Sequence, residues 1–102
     1  MARAVRLTLE AEAGFASARR WLLQPGSGSQ GKARWDALRA ATRTLAEAPY
    51  RGAAAPGDPG LRQVIISGHR LLYRVFPDTG QTATVGDVTV IALFGPGQDR
   101  SL

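Results

Sequence analysis

The sequence predicts an α+β fold ordered β-α-α-β-β-β, a helical hairpin packed on one face of a small, mostly antiparallel twisted sheet. Three observations predict it. Apolar residues recur at helical spacing through the first half of the chain and change to strand-like runs after Pro49. Two apolar runs of strand length flank the turn residues Ser67, Gly68 and His69, the pattern of a β-hairpin. The chain's 102 residues and 44% hydrophobic content suit one compact domain with a single core, residues 1–102.

Val5, Leu7 and Leu9 alternate with Arg6 and Thr8, as in a short strand with one buried face. Ala11, Phe15, Ala18 and Leu22 then recur at helical spacing. Glu10 and Glu12 stand in the first turn, where carboxylates suit the positive end of the helix dipole. This helix should end near Leu23 or Gln24, ahead of Pro25. The Gly26–Gly31 segment formally satisfies the dinucleotide fingerprint G-x-G-x-x-G, but that mechanism needs a preceding strand and a helix opening on the pyrophosphate. Here the segment follows a helix within a Pro/Gly/Ser run, so it reads as a flexible connection. The second helix should run from about Lys32 to Ala48. Its apolar stripe is Trp35, Leu38, Ala41 or Thr42, and Leu45, with Asp36, Arg39, Arg43 and Glu47 on the solvated side. Pro49 stops it.

Pro56 to Gly60 is a turn-rich lead-in to the hairpin. Val64, Ile65 and Ile66 form one β-branched strand and Leu71 to Phe76 the other. A two-residue loop pairs positions whose numbers sum to a constant, so Val64 and Ile66 should share a face with Leu71 and Tyr73. The opposite face then carries Gln63, Ile65, Arg70, Leu72 and Arg74. Pro77 to Gly80 is a second turn, Gln81 to Asp87 a long loop or frayed strand extension, and Val88 to Phe94 an interior strand apolar on nearly both sides. The expected core is Val5, Leu7, Phe15, Leu22, Trp35, Leu38, Leu45, Val64, Ile66, Leu71, Tyr73, Val90 and Ala92.

Thirteen Lys and Arg against eight Asp and Glu give a formal charge of +5. That balance favours an acidic partner: nucleic acid, an acidic protein segment or an anionic surface. Lys32 is the only lysine, so the charge is almost all arginine, which makes bidentate contacts to phosphate and carboxylate; a GC-rich genome could produce the same bias. The chain has no cysteine, which excludes disulfides, a cysteine nucleophile and thiolate metal sites. No segment approaches the roughly 18 apolar residues of a membrane span. A cytoplasmic protein without cofactor or metal is the expectation.

Few residues could carry chemistry. His69 alone has an ordinary pKa near neutrality, which suits a general base, but a turn histidine is more often exposed and idle. Arg62, Arg70, Arg74 and Arg100 form a possible phosphate- or target-binding group. Arg70 and Arg74 share the open face, and Arg100 follows a Gly-Pro-Gly turn able to return the chain over it. Taken singly, Arg62 could cap an edge, Arg74 could pair with Asp78 or another acid, and Arg100 could fray with the terminus.

The ordered set Leu61-Arg62 and Gly68-His69-Arg70-Leu71-Leu72-Tyr73-Arg74-Val75, with Ala48-Pro49-Tyr50-Arg51-Gly52 before it and Phe94-Gly95-Pro96-Gly97-Gln98-Asp99-Arg100 after it, resembles the RelE/ParE superfamily of bacterial toxins. The resemblance runs from about Val5 to Arg100. It implies the toxin of a type II toxin–antitoxin module, a cognate antitoxin whose C-terminal segment lies along the toxin, and one of two targets. The mRNA-cleaving branch, which acts on the ribosome, is similar at Arg70 and Arg100 and would give these, with His69, catalytic roles. That branch also uses lysines in the second strand and often a tyrosine or histidine near the end. Gln63 to Ser67 holds no lysine here, and Leu102 follows no terminal aromatic. The ParE branch, which poisons DNA gyrase, lacks that catalytic set and is similar in the Leu-Tyr-Arg-Val strand and the Ala-Pro-Tyr-Arg-Gly helix end, so it is preferred. A third reading, from another class, is a non-toxic basic binding module.

Overall fold

Thr8 ends the first strand and begins the first helix in the computed structural model, which describes residues 3–96. Its Oγ1 accepts the Ala11 N–H at 3.0 Å, the N-cap bond that satisfies an otherwise orphaned helix donor. The same hydroxyl donates to Ile91 O at 2.8 Å. β1 is therefore Val5–Leu7 and α1 is Leu9–Leu22. Leu9, expected on the strand's buried face, opens the helix instead and is exposed. Strand alternation over two more residues was outweighed by a hydroxyl that bonds both helix and sheet.

α2 spans Gly28–Glu47 and begins four residues before the expected Lys32. Gly28 to Gly31, read as a flexible connection, forms its first turn. Weak helix propensity there yields to packing, because Gly31 is buried where the two helices meet. A Cβ on Gly31 would stand 2.0 Å from Leu22 O, so only glycine admits that approach. Farther along, Leu38, Ala41 and Leu45 are buried, and half-buried Trp35 meets Phe15 edge-on at 6.5 Å. Asp36, Arg39, Arg43 and Glu47 face solvent, as their spacing requires.

Four more strands follow: β2 (Ala53–Ala55), β3 (Asp58–Ile66), β4 (His69–Phe76) and β5 (Asp87–Phe94). The sheet order is β1-β5-β4-β3-β2, with β1–β5 parallel and the other pairs antiparallel. Both helices cover one face of this sheet. The edge strand β2 is additional to the expected order, and β3 starts inside the stretch read as a turn. An alanine triplet carries no strand signal of its own; pairing of Ala53 with Gln63 and Ala54 with Arg62 makes it one.

The hairpin turn is Ser67–Gly68 alone, both at positive φ (53° and 75°), the geometry that suits a two-residue loop. Val64 pairs with Leu71 and Ile66 with His69, so Val64, Ile66, Leu71 and Tyr73 share the helix-covered face as expected. His69 is the first residue of β4 rather than a turn residue, and it is buried on that same side.

A bulge in β5 changes which of its residues face the helices. Leu72 pairs with Ala92 but Tyr73 pairs with Val90, leaving Ile91 as the extra residue. Val88, Val90 and Leu93 join Leu22, Leu38, Leu45, Leu71 and Tyr73 in the buried cluster, with Val5, Leu7, Phe15, Trp35, Val64 and Ile66 packed around it. Ala92 is buried too, but beside Leu72 on the opposite face, where simple alternation with Val90 would not put it.

Tyr73 is fully buried and fixes the end of α2 to the sheet. Its hydroxyl donates to Pro49 O at 2.8 Å and accepts the Gly52 N–H at 2.9 Å. Desolvation pushes its pKa above the ordinary 10.0. Tyr73→Phe leaves both backbone groups buried without that partner and should destabilise the fold by about 1–3 kcal/mol. Urea unfolding checks this: the midpoint should fall while the slope stays unchanged, since the surface exposed on unfolding is the same.

Candidate functional site

Successive residues of β4 point to opposite faces, and that alternation sorts the candidate residues. Arg70, Leu72, Arg74 and Phe76 lie on the face away from the helices. Arg70 stands between Ile65 on β3 and Phe94 on β5. Its Nη1 donates to Gln63 Oε1 at 2.7 Å, and its guanidinium lies 5.9 Å from the centre of the Phe94 ring. These contacts hold a long side chain in one orientation. Arg74 follows four residues on, ~13 Å along the strand at the usual rise.

Arg74 is an ion-paired residue. Its Nη2 donates to Asp58 Oδ2 at 2.8 Å, with both side chains partly exposed. The hydrogen bond from Arg74, helped by its charge and by the Gly60 and Leu61 N–H groups, holds the Asp58 carboxyl below its ordinary pKa of 3.8. Asp78, the partner suggested by sequence proximity, instead accepts from the Tyr50 hydroxyl at 2.5 Å. At the β1 end of the face, Asp87 lies 4.0 Å from Arg6 and accepts the Ala4 N–H. Two large apolar side chains stand out on this surface: Ile65 is 61% and Phe76 83% exposed.

The sheet separates the other candidates from this pair. Arg62 pairs with Tyr73 and so lies on the helix side, where its Nη1 donates to Gly52 O at 2.9 Å and its guanidinium sits 4.6 Å over the Tyr50 ring. It braces the α2–β2 connection. His69 is buried, with Nδ1 2.9 Å from Ser67 O, and it too lies across the sheet from Arg70. The expectation of an exposed turn histidine fails because the turn takes only two residues. Arg100 lies outside the described residues.

Sequence reasoning missed Asp58, Phe76 and Phe94 as members of the face. Asp58 stood in a stretch read as a turn, and Phe76 and Phe94 read only as ends of apolar runs. The pairing of Phe94 with Arg70 depends on the bulge, which no residue pattern announced.

Over residues 5–91 the sequence matches the family described as the ParE toxin of type II toxin-antitoxin system, parDE. Among solved structures, a chain of the chromosomal ParDE TA system from P. aeruginosa is similar with a TM-score of 0.66. The two share 12% identity, and the match covers 92% of this chain and 96% of that one. Likeness at this identity concerns the fold. Comparison with curated proteins finds no match.

The Arg74–Asp58 pair makes a pH prediction with a definite sign. A carboxyl held low in the folded state adds stability that is present above its ordinary value and is lost as pH falls through the lowered one. Carboxyl carbon shifts followed by NMR should place the Asp58 midpoint below 3.8. In Arg74→Gln, which removes the charged donor, the midpoint should move back up.

Proposed function

The chain belongs to the ParE toxin family of type II toxin–antitoxin systems, and from that premise we propose that it arrests growth by holding DNA gyrase on cleaved DNA. The family implies a cognate antitoxin that neutralises it. One observation carries the choice of target: His69 and Arg70 are adjacent on β4 and therefore stand on opposite faces of the sheet. A ribonuclease needs a group that moves a proton within reach of the group that steadies the phosphate. Among the described residues on the face of Arg70, Asp58 is paired with Arg74 and Asp87 accepts the Ala4 N–H, and the imidazole is across the sheet.

What the face offers instead is a recognition surface. An arginine, a type enriched among binding hot spots, is held in place between exposed Ile65 and partly buried Phe94, with Phe76, a type enriched at interfaces, at the far end. Arg70 supplies positive charge toward a partner that is itself bound to DNA, while the charge of Arg74 is offset by Asp58. We assign target contact to this face. Gyrase acts in the cytoplasm, so the reading carries a cytoplasmic location; no described helix is long and apolar enough to cross a membrane.

The test incubates the purified protein with gyrase and plasmid DNA, and in parallel with translating ribosomes. Accumulation of cleaved gyrase–DNA complex is the expected outcome, and Arg70→Ala should require roughly 10- to 30-fold more protein for the same effect, the loss typical of a contact of this type. Induced cells should filament and signal DNA damage. Codon-linked mRNA cuts without a cleavage complex would instead support the ribosomal reading and return Arg70 to a catalytic role. Growth unchanged by abundant, folded protein in several hosts would leave the basic binding module.

A further inference from the structure

The chain's one histidine is buried with half of its hydrogen-bonding capacity in use. His69 is 2% exposed, and its Nδ1 lies 2.9 Å from Ser67 O. A carbonyl can only accept, so Nδ1 carries a proton, and in the neutral ring Nε2 presents a lone pair. No described residue donates to Nε2. A ring nitrogen without a donor, on a residue that lines a cavity, can take one from a ligand or water.

Such a void is present. A cavity of about 130 Å³ lies against His69, lined by Ser17, Ala18 and Trp21 of α1 and by Gly95 and Pro96 beyond β5. Small residues at 18 and 95 leave the space, and the Trp21 indole and the Pro96 ring give it apolar walls. Its size is that of one six-membered ring, since an apolar cavity of roughly 150 Å³ accommodates benzene. Ser17 and His69 add polar surface to the lining. Ser17 Oγ accepts from Arg20 at 3.2 Å, and no carboxylate lines the cavity among the described residues.

We propose that this cavity is a binding site for a small neutral aromatic ring carrying a hydrogen-bond donor, the phenol class, with the donor placed on His69 Nε2. Each element of that class follows from the lining. The Trp21 and Pro96 walls and the volume select one planar ring. The lone pair on Nε2 selects a donor and disfavours a carboxylate. The absence of a lining carboxylate among the described residues, with Arg20 bonded to the lining Ser17, disfavours a cationic amine. The site is across the sheet from the target face and does not rest on the mode of growth arrest.

The test titrates phenol, and separately toluene, into the purified full chain and follows the His69 ring nitrogens, the Ser17 amide and the Trp21 indole N–H by NMR. Phenol should bind saturably and about tenfold more tightly than toluene, the difference one net hydrogen bond makes. The Nε2 resonance should move with phenol and stay in place with toluene. Ala18→Leu, which fills the cavity, should weaken phenol binding by tenfold or more. Shifts that do not saturate, equal affinity for the two rings, or shifts that avoid all three reporters would overturn the proposal. The contrast between phenol and toluene uses only the natural chain, so it decides the matter even if Ala18→Leu fails to fold.

Discussion

One extra residue in β5 organises this molecule. Ile91 has no partner on β4, so its carbonyl is released from the ladder, and Thr8 takes it with the same hydroxyl that caps α1. The bulge thereby sets the end of β1, the start of the first helix and the register of the sheet's longest pairing. It also rotates the strand. Leu93 turns inward to meet Leu71, and Phe94 turns outward to meet Arg70, a sorting that an unbulged strand would reverse for those two residues. The core and the outer face of Arg70 are thus two results of one insertion.

Because β4 lies between β3 and β5, its alternation divides the chemistry of the protein. His69, Leu71, Tyr73 and Val75 are buried toward the helices, while Arg70, Arg74 and Phe76 face outward. Exposed ion pairs of the Arg74–Asp58 kind contribute little to stability. What keeps the outer face in shape is the inner one. Tyr73 secures Pro49 and Gly52, Arg62 secures Gly52 and stacks on Tyr50, and Tyr50 in turn binds Asp78 and the Gly80 N–H. This chain of contacts ties the end of α2 to the loop between β4 and β5, so the surface is carried on a stiff support.

The parts of the fold legible in the sequence were those governed by periodicity. The stripe of Leu38, Ala41 and Leu45, the outward Asp36–Glu47 face and the pairing parity of the hairpin all follow from spacings that local geometry enforces. The parts that were not legible depend on distant partners. Ala53–Ala55 becomes a strand only because β3 lies beside it, Gly28 to Gly31 becomes helix because Leu22 packs there, and Thr8 ends a strand because Ile91 O is within reach. The candidate site divides the same way. Parity placed Arg70 and Arg74 on one face, but the position of His69 turned on whether the loop had two residues or three. The removal of Arg62 from the group followed from its cross-strand pairing with Tyr73.

Arginine content illustrates how far composition can carry a functional reading. Arg3 donates to Ala46 O and to Thr82 O, both at 2.6 Å, joining the end of α2 to the β4–β5 loop. A planar fork can bridge two carbonyls in this way, which a single ammonium does less well. Arg62 performs a similar task at Gly52 O. These guanidinium groups are structural and contribute to the charge of +5 without marking a partner. Arg70 differs in kind: it is held by Gln63 and Phe94 on an outer face beside exposed apolar side chains, so less conformational freedom is lost when a partner binds. All three guanidinium groups are held in place, so what sets Arg70 apart from the braces Arg3 and Arg62 is its position on the outer face, rather than the abundance of positive charge.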